Sequence, residues 1–114
     1  MSPSKLAIAT LERVREKNAL RFHIAANYLI EMQEALKEAY RVLKSKGKMV
    51  LVIGNNLVCG EEFETRKYLE EICTEIGFST EIILKDEIHS RGLMTKRNKT
   101  ASVISCEWII ILRK

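Results

Sequence analysis

The sequence predicts an α/β domain of about three helices and three strands, closing in an antiparallel hairpin. Three observations predict it. Met49 to Ile53 is an unbroken apolar run between Lys44-Ser45-Lys46-Gly47 and Gly54-Asn55-Asn56, which reads as a central sheet strand covered by helices on both faces. Helically spaced apolar residues precede it from Ala19 to Lys44 and follow it as far as Ile76. Two strand-like stretches end the chain about a dozen residues apart, which suits an antiparallel return and is short for a parallel crossover.

A chain of 114 residues holds one hydrophobic core, so residues 1–114 are read as a single domain. Its apolar share of 46% and charged share of 30% are those of a soluble globular protein. No run reaches the roughly 18 apolar residues of a membrane span, and Met-Ser-Pro-Ser-Lys-Leu lacks the apolar core of a signal peptide. A cytoplasmic protein without membrane contact is expected. Cys59, Cys73 and Cys106 are odd in number and widely spaced, which fits neither a disulfide framework nor a zinc ligand set. They are expected to be reduced and structural, with no metal bound. His23 and His89 have no carboxylate or cysteine close by in sequence, so nothing supports nucleophilic catalysis and no catalytic residue is assigned.

Ser2-Pro3 offers a hydroxyl cap and a proline at the first helical position, and the long helices are placed at 3–44 with a break at Asn18. Ala25, Leu29, Met32, Leu36, Ala39 and Leu43 are spaced four, three, four, three, four, the stripe of a helix laid on a sheet. Phe22, Ile24, Tyr28 and Ile30 widen its early apolar surface and call for a second contact, from the first helix or from a partner. The central strand is placed at 48–54. A helix at 61–76 follows, with Glu61 and Glu62 at its positive end and Gly77-Phe78 as its stop and hydrophobic clasp. The hairpin is placed at 80–112, with Ile82 and Leu84 on one face and Trp108 to Leu112 as its apolar end.

Arg91, Lys96, Arg97 and Lys99 lie between His89 and Thr100 with no acid among them, and they equal the chain's whole net charge of +4. Concentrated cations among Asn, Thr and Gly suit phosphate contact, because cations displace condensed counterions and small polar groups donate to phosphate oxygens. A solvated hairpin loop without a ligand is the other reading.

Together, Glu38-Ala39-Tyr40-Arg41-Val42-Leu43-Lys44, a glycine turn, the strand Met49 to Gly54, a helix closing in Gly77-Phe78 and a final hairpin resemble the C-terminal half of a class I S-adenosylmethionine-dependent methyltransferase. Val52-Ile53-Gly54-Asn55, the loop Arg91 to Thr100, Glu107 and the final Ile-Leu-Arg-Lys most resemble the DNA methyltransferases that modify exocyclic amino groups of adenine or cytosine. Essentially the whole chain is covered by the resemblance. One departure is Ser45-Lys46-Gly47, where the family usually has proline and two glycines, and this affects a turn rather than chemistry.

The resemblance implies a partial Rossmann-like methyltransferase fold, with the last strand inserted antiparallel between the other two. It also exposes what this sequence lacks. The family holds its cofactor with a glycine-rich loop after the first strand and an acid ending the second, and orients the target amino group with an Asp-Pro-Pro-Tyr type motif. Here there is no such loop, and the only proline is Pro3. S-adenosylmethionine is therefore expected in an assembled enzyme and not on this chain alone. Three readings follow: a fragment or split subunit active with a missing N-terminal half, a non-catalytic nucleic-acid-binding module, or a self-associating domain. The partners expected are that half or a second copy, with DNA, or alternatively RNA, as the polymer bound.

Ligands collect beyond the carboxyl ends of parallel strands, so Gly54, Asn55 and Asn56 are candidates for the rim of the active site. Asn55 and Asn56 equally suit a turn that needs unusual backbone angles. Arg91, Lys96, Arg97, Asn98, Lys99 and Thr100 are candidate nucleic-acid contacts. Glu107 is expected to pair with a loop cation, and Trp108 to lie in the core or to stack on a base.

Overall fold

The computed structural model describes residues 3–87 and 106–114, and Cys106 by its backbone only. Its elements are α1 (Ile8–Lys17), α2 (Ala19–Val42), β1 (Lys48–Ile53), β2 (Asn56–Val58), β3 (Glu61–Phe63), α3 (Thr65–Ile76), β4 (Ser79–Glu87) and β5 (Cys106–Arg113). β1, β5 and β4 form one sheet in that order, every pair antiparallel, and β2 pairs with β3 separately. The last strand lies between the other two, as the resemblance implied.

The break at Asn18 has a local cause. Asn18 is extended, and its Oδ1 accepts the Arg21 N–H at 3.1 Å, which caps α2 as α1 ends. The stripe on α2 faces inward: Ala25, Leu29 and Leu36 are buried and Met32 and Leu43 pack against the core. α3 contributes Leu69, Ile72 and Cys73, and the sheet contributes Ile53, Ile110 and Leu112. At the end of α3 the Gly77 and Phe78 N–H groups both donate to Cys73 O, at 3.1 and 3.0 Å. Gly77 has φ 132°, and Phe78 is buried edge-on against Tyr40, with ring centroids 4.9 Å apart. Lys114 then pins the last residue to α2: its Nζ donates to Leu43 O at 2.9 Å and its N–H to Gly47 O at 2.9 Å.

Four expectations need correction. The first helix starts at Ile8, not at residue 3; Ser4 is buried and the Lys5 N–H binds Glu71 Oε1, so tertiary ties on α3 hold this segment outside the helix. The helix placed at 61–76 starts at Thr65. Glu61 and Glu62 belong to β3 instead, because Cys59 (φ 52°) and Gly60 (φ 78°) make a two-residue hairpin turn between Val58 and Glu61, the turn type that needs positive φ at both positions. That hairpin brings the number of described strands to five, not three.

The fourth correction concerns β1. It is an edge strand among the described residues, pairing only with β5, and its burial alternates. Met49, Leu51 and Ile53 face the helices, whereas Val50 and Val52 are 57% and 60% exposed. An unbroken apolar run was read as covered on both faces, but α2 and α3 cover only one.

Candidate functional site

The carboxyl end of β1 runs through Gly54 and Asn55 into the β2–β3 hairpin, which returns to the first turn of α3. Asn55 is half-buried, and its Oδ1 accepts the Arg66 N–H at 3.3 Å. It supplies the acceptor that Glu64, the residue at the N-cap, does not. This is the turn-and-cap role among the two weighed from sequence. Gly54 and Asn56 line a groove of about 730 Å³, Asn56 being exposed.

The groove lies beside the free edge of β1. Ile24, Tyr28 and Met32 of α2 form one wall, Leu51 and Ile53 another, and Leu57, Val58 and Phe63 the end. Ile24, Tyr28 and Ile30 are exposed, so α1 does not supply the second contact that the early face of α2 called for; Phe22 alone is half-buried there. Burial raises the Tyr28 pKa above its ordinary value, keeping the phenol neutral on this wall.

Arg66 was not singled out from sequence. Its side chain is only 18% exposed, with Nη1 3.2 Å from Glu70 Oε2 and the guanidinium 4.4 Å from the centroid of Trp108. Lys85 Nζ stands 5.6 Å from the same ring. Trp108 is half-buried between two cations, a cation–π stack that joins α3 to the sheet. An i,i+4 Arg-Glu pair in the first turns of α3 was the available signal, but its tryptophan partner lies 42 residues further on.

Lys17 and Arg13 of α1 hold Glu61, with Lys17 Nζ 3.2 Å and Arg13 Nε 3.3 Å from its carboxylate. The Lys17 hydrogen bond is the main cause of a Glu61 pKa below the ordinary carboxylate range. Burial pushes the Cys73 thiol up to about 12, with Glu70 adding to the shift. Cys59 and Cys73 are free thiols. His23 is exposed on α2 against Phe22. Glu107 stands opposite Asp86 in the β4–β5 register. Arg91, Lys96, Arg97, Asn98, Lys99, Thr100 and His89 lie outside the described residues. Among the described residues no group of three His, Cys, Asp or Glu can hold a metal ion, and no helix is long and apolar enough to cross a membrane.

No protein-family model matches the sequence, and no curated protein matches it. Solved structures do match the fold. A candidate DNA modification methylase of Thermus thermophilus, solved as its selenomethionine derivative, superposes with a TM-score of 0.61 over 81% of this chain at 22% identity. The chain carries part of a methyltransferase-like fold. The same Thermus protein complexed with S-adenosyl-L-methionine gives a TM-score of 0.61 at 20% identity, again over 81% of this chain. This methyltransferase-like portion spans only 38% and 39% of those two chains.

The residues described here do not fit S-adenosylmethionine by themselves. The ribose diol of such a cofactor calls for a free carboxylate at a strand end. In the hairpin and early α3, however, Glu61 is held by Lys17 and Arg13, Glu64 by Lys67 and Glu70 by Arg66. The turn after β1 offers two asparagines, one already spent as a helix cap.

Proposed function

We propose that this chain is the C-terminal portion of an S-adenosylmethionine-dependent DNA methyltransferase, a fragment or split subunit that is inactive until a complementary portion supplies the cofactor site and the catalytic motif. The observation that carries the reading is the match of the β1–β5–β4 sheet and its helices to a candidate DNA modification methylase over 81% of the chain. In the assembled enzyme, S-adenosylmethionine is held by the complementary portion and donates a methyl group to an exocyclic amino group of adenine or cytosine. This chain contributes the wall beside the β1 rim, where Gly54 and Asn56 face the open groove and Asn55 fixes the start of α3. Arg91, Lys96, Arg97, Asn98, Lys99 and Thr100 contact the DNA backbone, a role that rests on their concentrated charge.

The test is methyl transfer from labelled S-adenosylmethionine to DNA by the assembly recovered from its native cell, with the isolated chain as control. Transfer by the assembly and none by the chain is the expected result. Replacing Lys96, Arg97 and Lys99 with Gln is expected to weaken DNA binding and flatten its dependence on salt, each lost phosphate contact removing roughly 0.9 from the log–log slope. An assembly that transfers no methyl group to any nucleic acid overturns the reading. A non-catalytic DNA-binding module is then what a retained, salt-sensitive affinity would indicate.

A further inference from the structure

The surface that β1 leaves uncovered has two parts, an edge and a face. Gly47 O accepts the Lys114 N–H at 2.9 Å, and Lys48 to Ile53 continue that register against Arg113 to Trp108. In an antiparallel ladder hydrogen-bonded pairs alternate, so Met49, Leu51 and Ile53 bond toward β5, while Val50 and Val52 direct their N–H and C=O groups to the free edge. Behind them is the open face. Val50 lies beside Ile111 and Ile82, and Val52 beside Ile109 and Leu84, making two apolar rungs across three strands. Val50, Val52, Ile82 and Leu84 are all exposed. Charge borders the patch: Glu81 bridges Lys48 and Arg113 at one end, at 3.4 and 3.8 Å, and Asp86 faces Glu107 at the other.

We propose that this surface seats the complementary α/β portion of the fold, through a strand that pairs parallel to β1 at its free edge and a helical layer that covers the two apolar rungs. The inference rests on the methyltransferase reading and specifies how the two portions join. The matched solved chains have more than half of their length outside the matched region, which is enough for a strand and a covering layer. Connectivity sets the strand's position. α2 runs directly into β1, β5 occupies one side of β1, and a right-handed crossover through α2 therefore starts from a parallel strand on the other side. The groove under Ile24, Tyr28 and Met32 is the apolar seat for that strand's side chains.

A second copy fits less well. Two-fold pairing of β1 with β1 is antiparallel and extends one sheet about an axis normal to it, so both open faces end up on the same side and both stay bare.

The test places a photo-crosslinking phenylalanine analogue at Val52 or at Leu84, with Lys37 on the solvent side of α2 as control, in the chain produced in its native cell. Crosslinked peptides are then sequenced by mass spectrometry. The expected result is that positions 52 and 84, and not 37, join to one α/β segment with a glycine-rich loop between a strand and a helix, whether in the same polypeptide or another. Val50→Pro removes only an edge-facing N–H, which an edge strand tolerates, and is expected to cut the crosslink at position 84 at least tenfold. If Val50→Pro unfolds the chain by circular dichroism, Val50→Glu keeps every backbone donor and makes the same test on the open face. Crosslinks only to a second copy, to a protein without such a segment, or equally from position 37 overturn the proposal. If the segment is captured as expected and the complex transfers no methyl group, the docking stands and the methyltransferase reading falls.

Discussion

Gly77 carries the joint between α3 and the sheet, and Gly77→Ala measures how tightly that joint is set. Two costs add. At φ 132° an L-residue is strained, at about 1–3 kcal/mol for a sparsely populated backbone region. A Cβ built there also meets Tyr40 Oη at 2.9 Å, Cζ at 3.1 Å and Cε2 at 3.3 Å. A flexible side chain would swing away. The Tyr40 ring is held, however, edge-on against buried Phe78 and with Lys114 Nζ 4.7 Å from its centroid. Displacing it adds an overpacking cost of about 1–3 kcal/mol, so the expected loss is about 2–5 kcal/mol in all. Urea unfolding followed by circular dichroism reads it as a lower midpoint at unchanged slope. In a Tyr40→Leu background the contact cost disappears and only the backbone cost remains, so the same substitution is expected to lose about 1–3 kcal/mol. A loss below about 0.5 kcal/mol in the natural background, the level of an ordinary surface change, would refute the joint as described.

Two further predictions concern the rim and the core. Asn55→Ala is expected to cost about 1 kcal/mol, the usual value of a lost helix cap, while Asn56→Ala, at an exposed position, leaves urea stability within about 0.5 kcal/mol; equal effects at the two positions would remove the capping role. Cys73, with its thiol pushed up to about 12, stays protonated in the folded chain while the unfolded chain ionises near the ordinary thiol value. The unfolded state then binds fewer protons, so this contribution to stability is whole below the ordinary value and is lost as pH rises from there toward about 12. Alkylation at pH 8 under native conditions should mark Cys59 well before Cys73, and comparable rates would contradict the burial of Cys73.

The long-range order of the fold was legible where one residue type has one cheap role. Asn18 broke the helices where its side chain caps, Gly77-Phe78 stopped α3, and the closing strands paired antiparallel. The β2–β3 hairpin was not legible, because its turn uses Cys59-Gly60 rather than the usual Asn-Gly and its strands are three residues each. The start of α1 was misplaced because Lys5 and Ser4 are held by contacts across the fold, which local capping signals do not carry. Val50 and Val52 show a different limit. Their apolar character fits burial in a larger assembly, whereas their exposure is that of this chain alone. At the site, Asn55 was named with both of its roles, while Arg66 and Trp108 meet only through packing between α3 and β5.

Calorimetric titration of the isolated, folded chain with S-adenosylmethionine tests most directly the claim that the cofactor site lies outside this portion of the fold. With circular dichroism verifying the helices and sheet, the account predicts no detectable heat of binding up to millimolar cofactor. Binding at micromolar concentration would contradict it, because the committed carboxylates and the asparagine turn would then be sufficient to hold the cofactor.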